Sequence, residues 1–129
     1  MLTFPAWYAA VQTQKRVPCG YGGWVADYLD PSTFFDPLLD GSRISPTECN
    51  NFAFYSNEKV NSVLADARRS LDLVERFTLY RKAERLILAD APWVPIMHPP
   101  QPTVVRPGLH GLTTHPIWLF RFEKLWFDK

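Results

Sequence analysis

Two stretches of the chain carry an unmistakable helical repeat. Val60, Val63, Leu64, Ala67 and Leu71 recur at spacings of three and four, with Ser56 or Asn57 ahead of them as the cap. Asp72 and Glu75 then form a D-x-x-E box that opens a second helix. That helix turns Val74, Phe77, Leu79, Ala83, Leu86 and Ile87 inward and ends before Pro92. Its charged positions, Glu75, Arg76, Arg81, Lys82, Glu84 and Arg85, read as a solvated face. Nearer the N-terminus, Thr3 caps a helix with Pro5 in its first turn and "AWYAAVQTQKR" as its body, closed by Lys15 and Arg16. "DPSTFFDPLL" predicts a short helix in which Asp30 caps, Pro31 takes the first helical position and Pro37 limits the length.

Period-two patterning is weaker. "WVAD" predicts a short strand after the glycine-rich loop "VPCGYGG", and residues 40–56 read as a long loop. "PWVPIMHP" is extended but too rich in proline for the centre of a sheet, so it suits a crossover or an edge. A short strand fits 103–106. In "IWLFRFEKLWF", Trp118, Phe120 and Phe122 alternate with Leu119, Arg121 and Glu123, which predicts a closing strand with one strongly apolar face. Short strands mixed with paired helices place the chain in the α/β or α+β classes. Four short strands make a thin sheet for so much aromatic surface, and the chain reads as part of something larger.

With 129 residues, 47% hydrophobic and 21% charged, the composition is that of a globular protein with one modest core. A net charge of +1, with basic residues spread along the chain, gives no nucleic-acid stripe and no polybasic membrane segment. No apolar run approaches the ~20 residues of a membrane-spanning helix, and the first residues lack a signal-peptide pattern. Cys19 and Cys49 match no metal or redox spacing, and both lie in loops; they are either two unpaired thiols or a disulfide.

Candidate chemistry is sparse. His98, His110 and His115 stand in loops without the tight spacing of a zinc site. No nucleophile elbow or catalytic cysteine signature is present, and "GYGG" lacks the lysine and hydroxyl of a phosphate loop. An enzyme is therefore not expected, nor any cofactor. Four acids cluster at Asp27, Asp30, Asp36 and Asp40. Asp30 is explained as a cap, while Asp36 and Asp40 read as solvated. Asp27 alone, at the end of an apolar strand between Trp24 and Tyr28, lacks a structural task.

"GWVADYLDPSTFFDPLL" resembles a stretch of the family 5 extracellular solute-binding proteins, the oligopeptide- and dipeptide-binding proteins of ATP-driven importers. "NNFAFYSNEKVNSVLADARRSLDLVERFTLYRKAERLILADAPWVPI" follows in the family's order, with its asparagine loop, its "ER…LY…AE…L" helix and its "D-A-P-x-x-P" exit. The resemblance implies an α/β chain, the C-terminal fragment of a periplasmic-binding-protein-like fold (class II, three-lobed), with mixed short strands and paired helices. Residues 1–95 would end the C-terminal ligand-binding lobe, and 96–129 would form a crossover and return strand on the N-terminal lobe. The implied ligand site is Asp27, accepting a peptide's α-ammonium, with Trp24 and Tyr28 shaping the pocket beside it. The implied partners are a peptide or other small solute, ABC permease subunits and the N-terminal remainder of the protein, with no nucleic acid. The implied location is periplasmic or extracellular, with a lipoprotein anchor as one form. Export in turn implies a disulfide between Cys19 and Cys49. Alternatives on the same fold are an oligosaccharide, a nickel complex or an opine as ligand, or a cytoplasmic regulator using the domain as a sensor.

Overall fold

The computed structural model describes residues 3–13, 17–100, 102–115, 117 and 120–128. Helix α1 spans Phe4–Val11, with proline in its first turn, where the missing N–H costs nothing. It stops on Gln12, sooner than the aromatic run predicts; Lys15 and Arg16, expected to close it, lie outside the described residues. Helix α2 spans Ser32–Leu39. Pro31 takes helical angles just ahead of it, and the Ser32 N–H donates to Asp30 Oδ1 at 2.8 Å, so the acid–proline pair starts the helix as expected. Pro37 lies inside the helix.

Helix α3 (Glu58–Arg69) is capped by Asn57, whose side-chain oxygen accepts from the N–H groups of Lys59 and Val60. Helix α4 (Leu73–Asp90) is capped by Asp72, which accepts from Glu75 N–H at 2.8 Å. The box closes on one side only, because the Glu75 carboxylate takes the Ser70 hydroxyl instead, at 2.7 Å. Ala91 ends α4 in the left-handed region, φ 50°, one residue before Pro92.

Helices α3 and α4 pack as a hairpin, and α2 lies against them. Leu38, Leu39, Val60, Val63, Leu64, Ala67, Tyr80, Ala83 and Ile87 form the core, with Trp24, Phe35, Tyr55 and Trp93 partly buried against it. The inward stripe of α4 keeps Ala83 and Ile87, with Leu79 and Leu86 packed partly buried against the core, but it adds Tyr80 and loses Val74 and Phe77. Tyr80, Ala83 and Ile87 carry it, and one turn earlier the same stripe falls on Arg76. Val74 and Phe77 lie on a neighbouring stripe and are exposed, as is Leu71, which falls in the turn after α3 at 98% exposure.

The segment 40–57 is more ordered than a plain loop. Gly41–Arg43 form a 3-10 turn capped by Asp40, and the buried Asn51 side chain bonds both the N–H and the carbonyl of Tyr55. A side chain at Gly41 would overlap Ser56 and Asn61, whose Oδ1 accepts the Gly41 N–H.

The chain divides into two compact units, Met1–Val94 and Pro95–Lys129. In the second, β1 (Leu109–His110) pairs antiparallel with β2 (Trp126–Phe127), Leu109 opposite Phe127 and His110 opposite Trp126. Thr114 and Phe120 form a further isolated bridge, and a 3-10 turn at Phe122–Lys124 interrupts the expected closing strand. Trp118 and Leu119, expected within that strand, lie outside the described residues. Gly111 (φ 76°) sits where any Cβ would overlap the Lys124 carbonyl. The strands expected at 24–27 and 103–106 do not form. An extended segment becomes a strand only when a neighbour takes its ladder hydrogen bonds, and among the described residues none does so there. No helix among the described residues is long and apolar enough to cross a membrane.

Candidate functional site

Residues 24–30 have no regular structure and bend at 27–30, yet Trp24, Asp27, Tyr28 and Asp30 are each tied to the start of α2. The Trp24 indole N–H donates to the Thr33 carbonyl at 2.8 Å, and its ring packs on the core. The Asp27 backbone N–H donates to Thr33 Oγ1 at 2.9 Å, and the same hydroxyl donates back to Asp27 Oδ2 at 3.3 Å. Tyr28 OH and Ser32 Oγ share a hydrogen bond of 3.0 Å. The threonine thus fixes the acid's backbone and one carboxylate oxygen, and among the described residues no hydrogen bond takes the other oxygen, at an exposed position. Asp27, Trp24 and Tyr28 are consequently held in one short segment by one helix turn. Asp27 therefore has a local structural task after all, through Thr33, which the sequence reading did not single out.

Two ion-pair sites tie the two ends of α2 to the α3–α4 hairpin. Arg76 grips Asp30 with two hydrogen bonds, Nε to Oδ2 at 2.9 Å and Nη2 to Oδ1 at 2.8 Å, and its Nη1 donates to the Ala67 carbonyl near the end of α3. The guanidinium hydrogen bond lowers the Asp30 carboxyl to about 2, with smaller help from Ser32 against the opposing effect of burial. Arg68 binds Asp36 at 2.9 Å and Asp40 at 2.7 Å. Burial works to raise the Asp40 carboxyl, but hydrogen bonds from Ser42 and Arg68 outweigh it and hold the group below its usual range. The expectation that Asp36 and Asp40 are solvated is thereby corrected. Asp40 is fully buried, because the turn it caps folds onto α3. Arg76 likewise leaves the solvated face assigned to it.

Other candidates come to less. Among the described residues no group of three histidine, cysteine or acidic side chains could hold a metal ion. His98 is exposed; His110 bonds Asp128 at 3.0 Å and stacks on Trp126. His115 Nδ1 accepts the Ile117 N–H. The disulfide expected between Cys19 and Cys49 is not formed. Cys19 is exposed in its loop, whereas Cys49 is buried, with its thiol turned to the Asn51 carbonyl. The shallow clefts of the second unit, one beside His115 and Phe120 and one beside Arg106 and Phe127, include none of Trp24, Asp27 or Tyr28.

No family model matches the chain. Curated relatives do. The glutathione-binding protein GsiB of Shigella dysenteriae is 31% identical over 112 residues, covering 87% of this chain and 22% of its own. The GsiB of Pectobacterium atrosepticum is 35% identical over 103 residues, covering 80% and 20%. Heme-binding protein A of Haemophilus influenzae is 29% identical over 119 residues, covering 88% and 21%. The chain thus spans about a fifth of the length of the relatives it matches. Among solved structures, the ABC transporter-associated periplasmic binding protein DppA of Helicobacter pylori, in complex with the peptide STSA, is similar with a TM-score of 0.68. The match is 31% identical and covers 84% of this chain and 21% of that one.

Proposed function

We propose, from the premise that the chain belongs to the family 5 extracellular solute-binding proteins, that it forms part of the solute-binding component of an ABC importer and that its solute is a peptide. One observation carries the reading. Asp27 presents a carboxylate oxygen at the surface of a segment clamped by Thr33, in a chain whose fold matches a periplasmic protein with a peptide bound. A carboxylate with fixed backbone and one free oxygen suits a peptide's α-ammonium, because a charge-assisted hydrogen bond of set direction offsets the desolvation of both ions. Trp24 and Tyr28 would border the first residues of the peptide. Tyr28 keeps its ring exposed and its hydroxyl on Ser32, so the ring can lie along a ligand without leaving a buried polar atom unpaired.

The rest of the site would come from the remainder of the protein, closing over the ligand by lobe movement. The division of the chain between Val94 and Pro95 supports a lobe boundary in "APWVPIMHP". The role is binding without chemistry, in the periplasm or outside the cell, with permease subunits as partners. Relatives named for glutathione and heme keep a second reading in view, in which the same fold holds a different solute. A thermal-shift and calorimetric panel on the full-length protein separates them, using di- to tetrapeptides, glutathione, heme and an oligosaccharide. Peptides with a free amino terminus should bind and their N-acetylated forms should bind far more weakly. Binding of heme or sugar alone, or indifference to acetylation, would overturn the proposal.

A further inference from the structure

Arg76 occupies a core-facing position of α4, one turn before Tyr80, where a purely structural helix would place a hydrophobe. A partly buried arginine is costly to keep, and paired ions can often be replaced by apolar side chains without loss of stability. What the arginine supplies instead is direction. Its guanidinium binds Asp30 through two parallel hydrogen bonds, holds the Ala67 carbonyl through a third, and lies over the Tyr80 ring at 5.4 Å. Asp30 ends the segment that carries Trp24, Asp27 and Tyr28, and the segment has no ladder of its own. Apart from one backbone bond inside it, from the Asp30 N–H to the Tyr28 carbonyl, its ties run to Ser32 and Thr33, on the α2 turn that Asp30 precedes. At the far end of α2, a single Arg68 nitrogen, Nη1, binds both Asp36 and Asp40. Each end of α2 is thus anchored to the α3–α4 hairpin by one arginine, and the end beside the candidate site depends on Arg76.

We infer that Arg76, acting through Asp30, is a positioning residue that holds the Trp24–Tyr28 segment in the conformation that binds ligand. The inference rests on the peptide-binding reading for its consequence, but the positioning itself can be measured without ligand. Hydrogen exchange on the full-length protein, read on peptides spanning 24–33, should quicken several-fold in Arg76→Gln and in Asp30→Asn. Peptides from the middle of α3 and α4 should keep wild-type rates, and Arg81→Gln, an exposed neighbour on α4, should change neither. Arg76→Lys keeps the charge but loses the fork, and should restore only part of the protection. Unchanged exchange across 24–33, or equal loosening of the whole hairpin, would overturn the inference.

The second arm is titration calorimetry with the peptide Ser-Thr-Ser-Ala. Arg76→Gln should weaken binding about tenfold while the stoichiometry stays near that of wild type. A merely structural defect would lower the stoichiometry and leave the affinity of the surviving molecules unaltered, which would also overturn it. Asp27→Asn, run beside it, keeps the two ideas apart. If that variant binds as wild type does, the ligand reading fails while the exchange result still decides the positioning.

Discussion

At the scale of single residues, the polar side chains of the first unit are less interchangeable than their spacing suggests. The Tyr80 hydroxyl is buried with no hydrogen bond of good geometry among the described residues, only a weak approach to the Ser32 side chain, although its ring stacks on Phe35 and supports Arg76. Removing an unsatisfied buried hydroxyl while keeping the ring should cost nothing, so Tyr80→Phe should be neutral or up to about 1 kcal/mol more stable by urea unfolding. A loss above about 1 kcal/mol would reveal a partner for that oxygen. Asp30 makes the opposite prediction. Its carboxyl is depressed to about 2 from an ordinary 3.8 by the Arg76 hydrogen bond. A depressed acid contributes stability that is fully present above the unfolded value and lost as pH falls through the folded one. Stability should therefore drop by roughly 2 kcal/mol between about pH 4 and pH 2 on account of this group. Asp30→Asn should flatten that part of the profile. An identical acid slope in the variant would remove the pair from the balance.

At the scale of elements, α3 and α4 were legible because their signals are local. Asn57, Asp72 and Pro92 mark ends that the structure places within a residue or two, and the α3 stripe falls where its spacing says from Val60 to Ala67, though not at Leu71. The Asp30–Pro31 start of α2 was legible for the same reason. What escaped was non-local. Arg76 meets an acid 46 residues away and Arg68 acids 28 and 32 away, and no period in the sequence marks such pairs. The acids themselves were legible, and their partners were not. Strands escaped because an apolar alternation such as that at 24–27 becomes a strand only beside a second one. In the candidate site, Asp27, Trp24 and Tyr28 were named through the family resemblance and lie in one segment, whereas nothing local in the sequence ties Thr33 to Asp27 six residues earlier. Ala91 offers a test of element ends. It sits at φ 50°, where a Cβ is strained, so Ala91→Gly should stabilise by about 0.5–1 kcal/mol in thermal unfolding, against the usual sign of a glycine substitution. Gly41→Ala should do the reverse, losing at least about 1 kcal/mol, because the new methyl meets Ser56 and Asn61. Opposite signs at either site would mean that these turns have another backbone.

At the scale of the whole molecule, the second unit carries far more apolar surface than its two-residue strands can cover. Phe122, Trp126 and Phe127 are exposed, as are Ile96, Met97 and Val104. The 129-residue chain expressed alone should self-associate or melt with weak cooperativity, by sedimentation and calorimetry. A monodisperse monomer with a sharp two-state melt would show that this surface needs no cover. In the full-length protein the central claim is that Asp27 accepts a peptide's ammonium, and one measurement tests it most directly. Titration calorimetry compares wild type with Asp27→Asn, each against a free-amino peptide and its N-acetylated form. The substitution keeps shape and removes charge, so the free peptide should lose about 2–4 kcal/mol, or roughly 30- to 1,000-fold in affinity, while the acetylated peptide, weak from the start, should change little. Equal losses for both peptides, or none for either, would contradict the account and leave Asp27 with only its tie to Thr33.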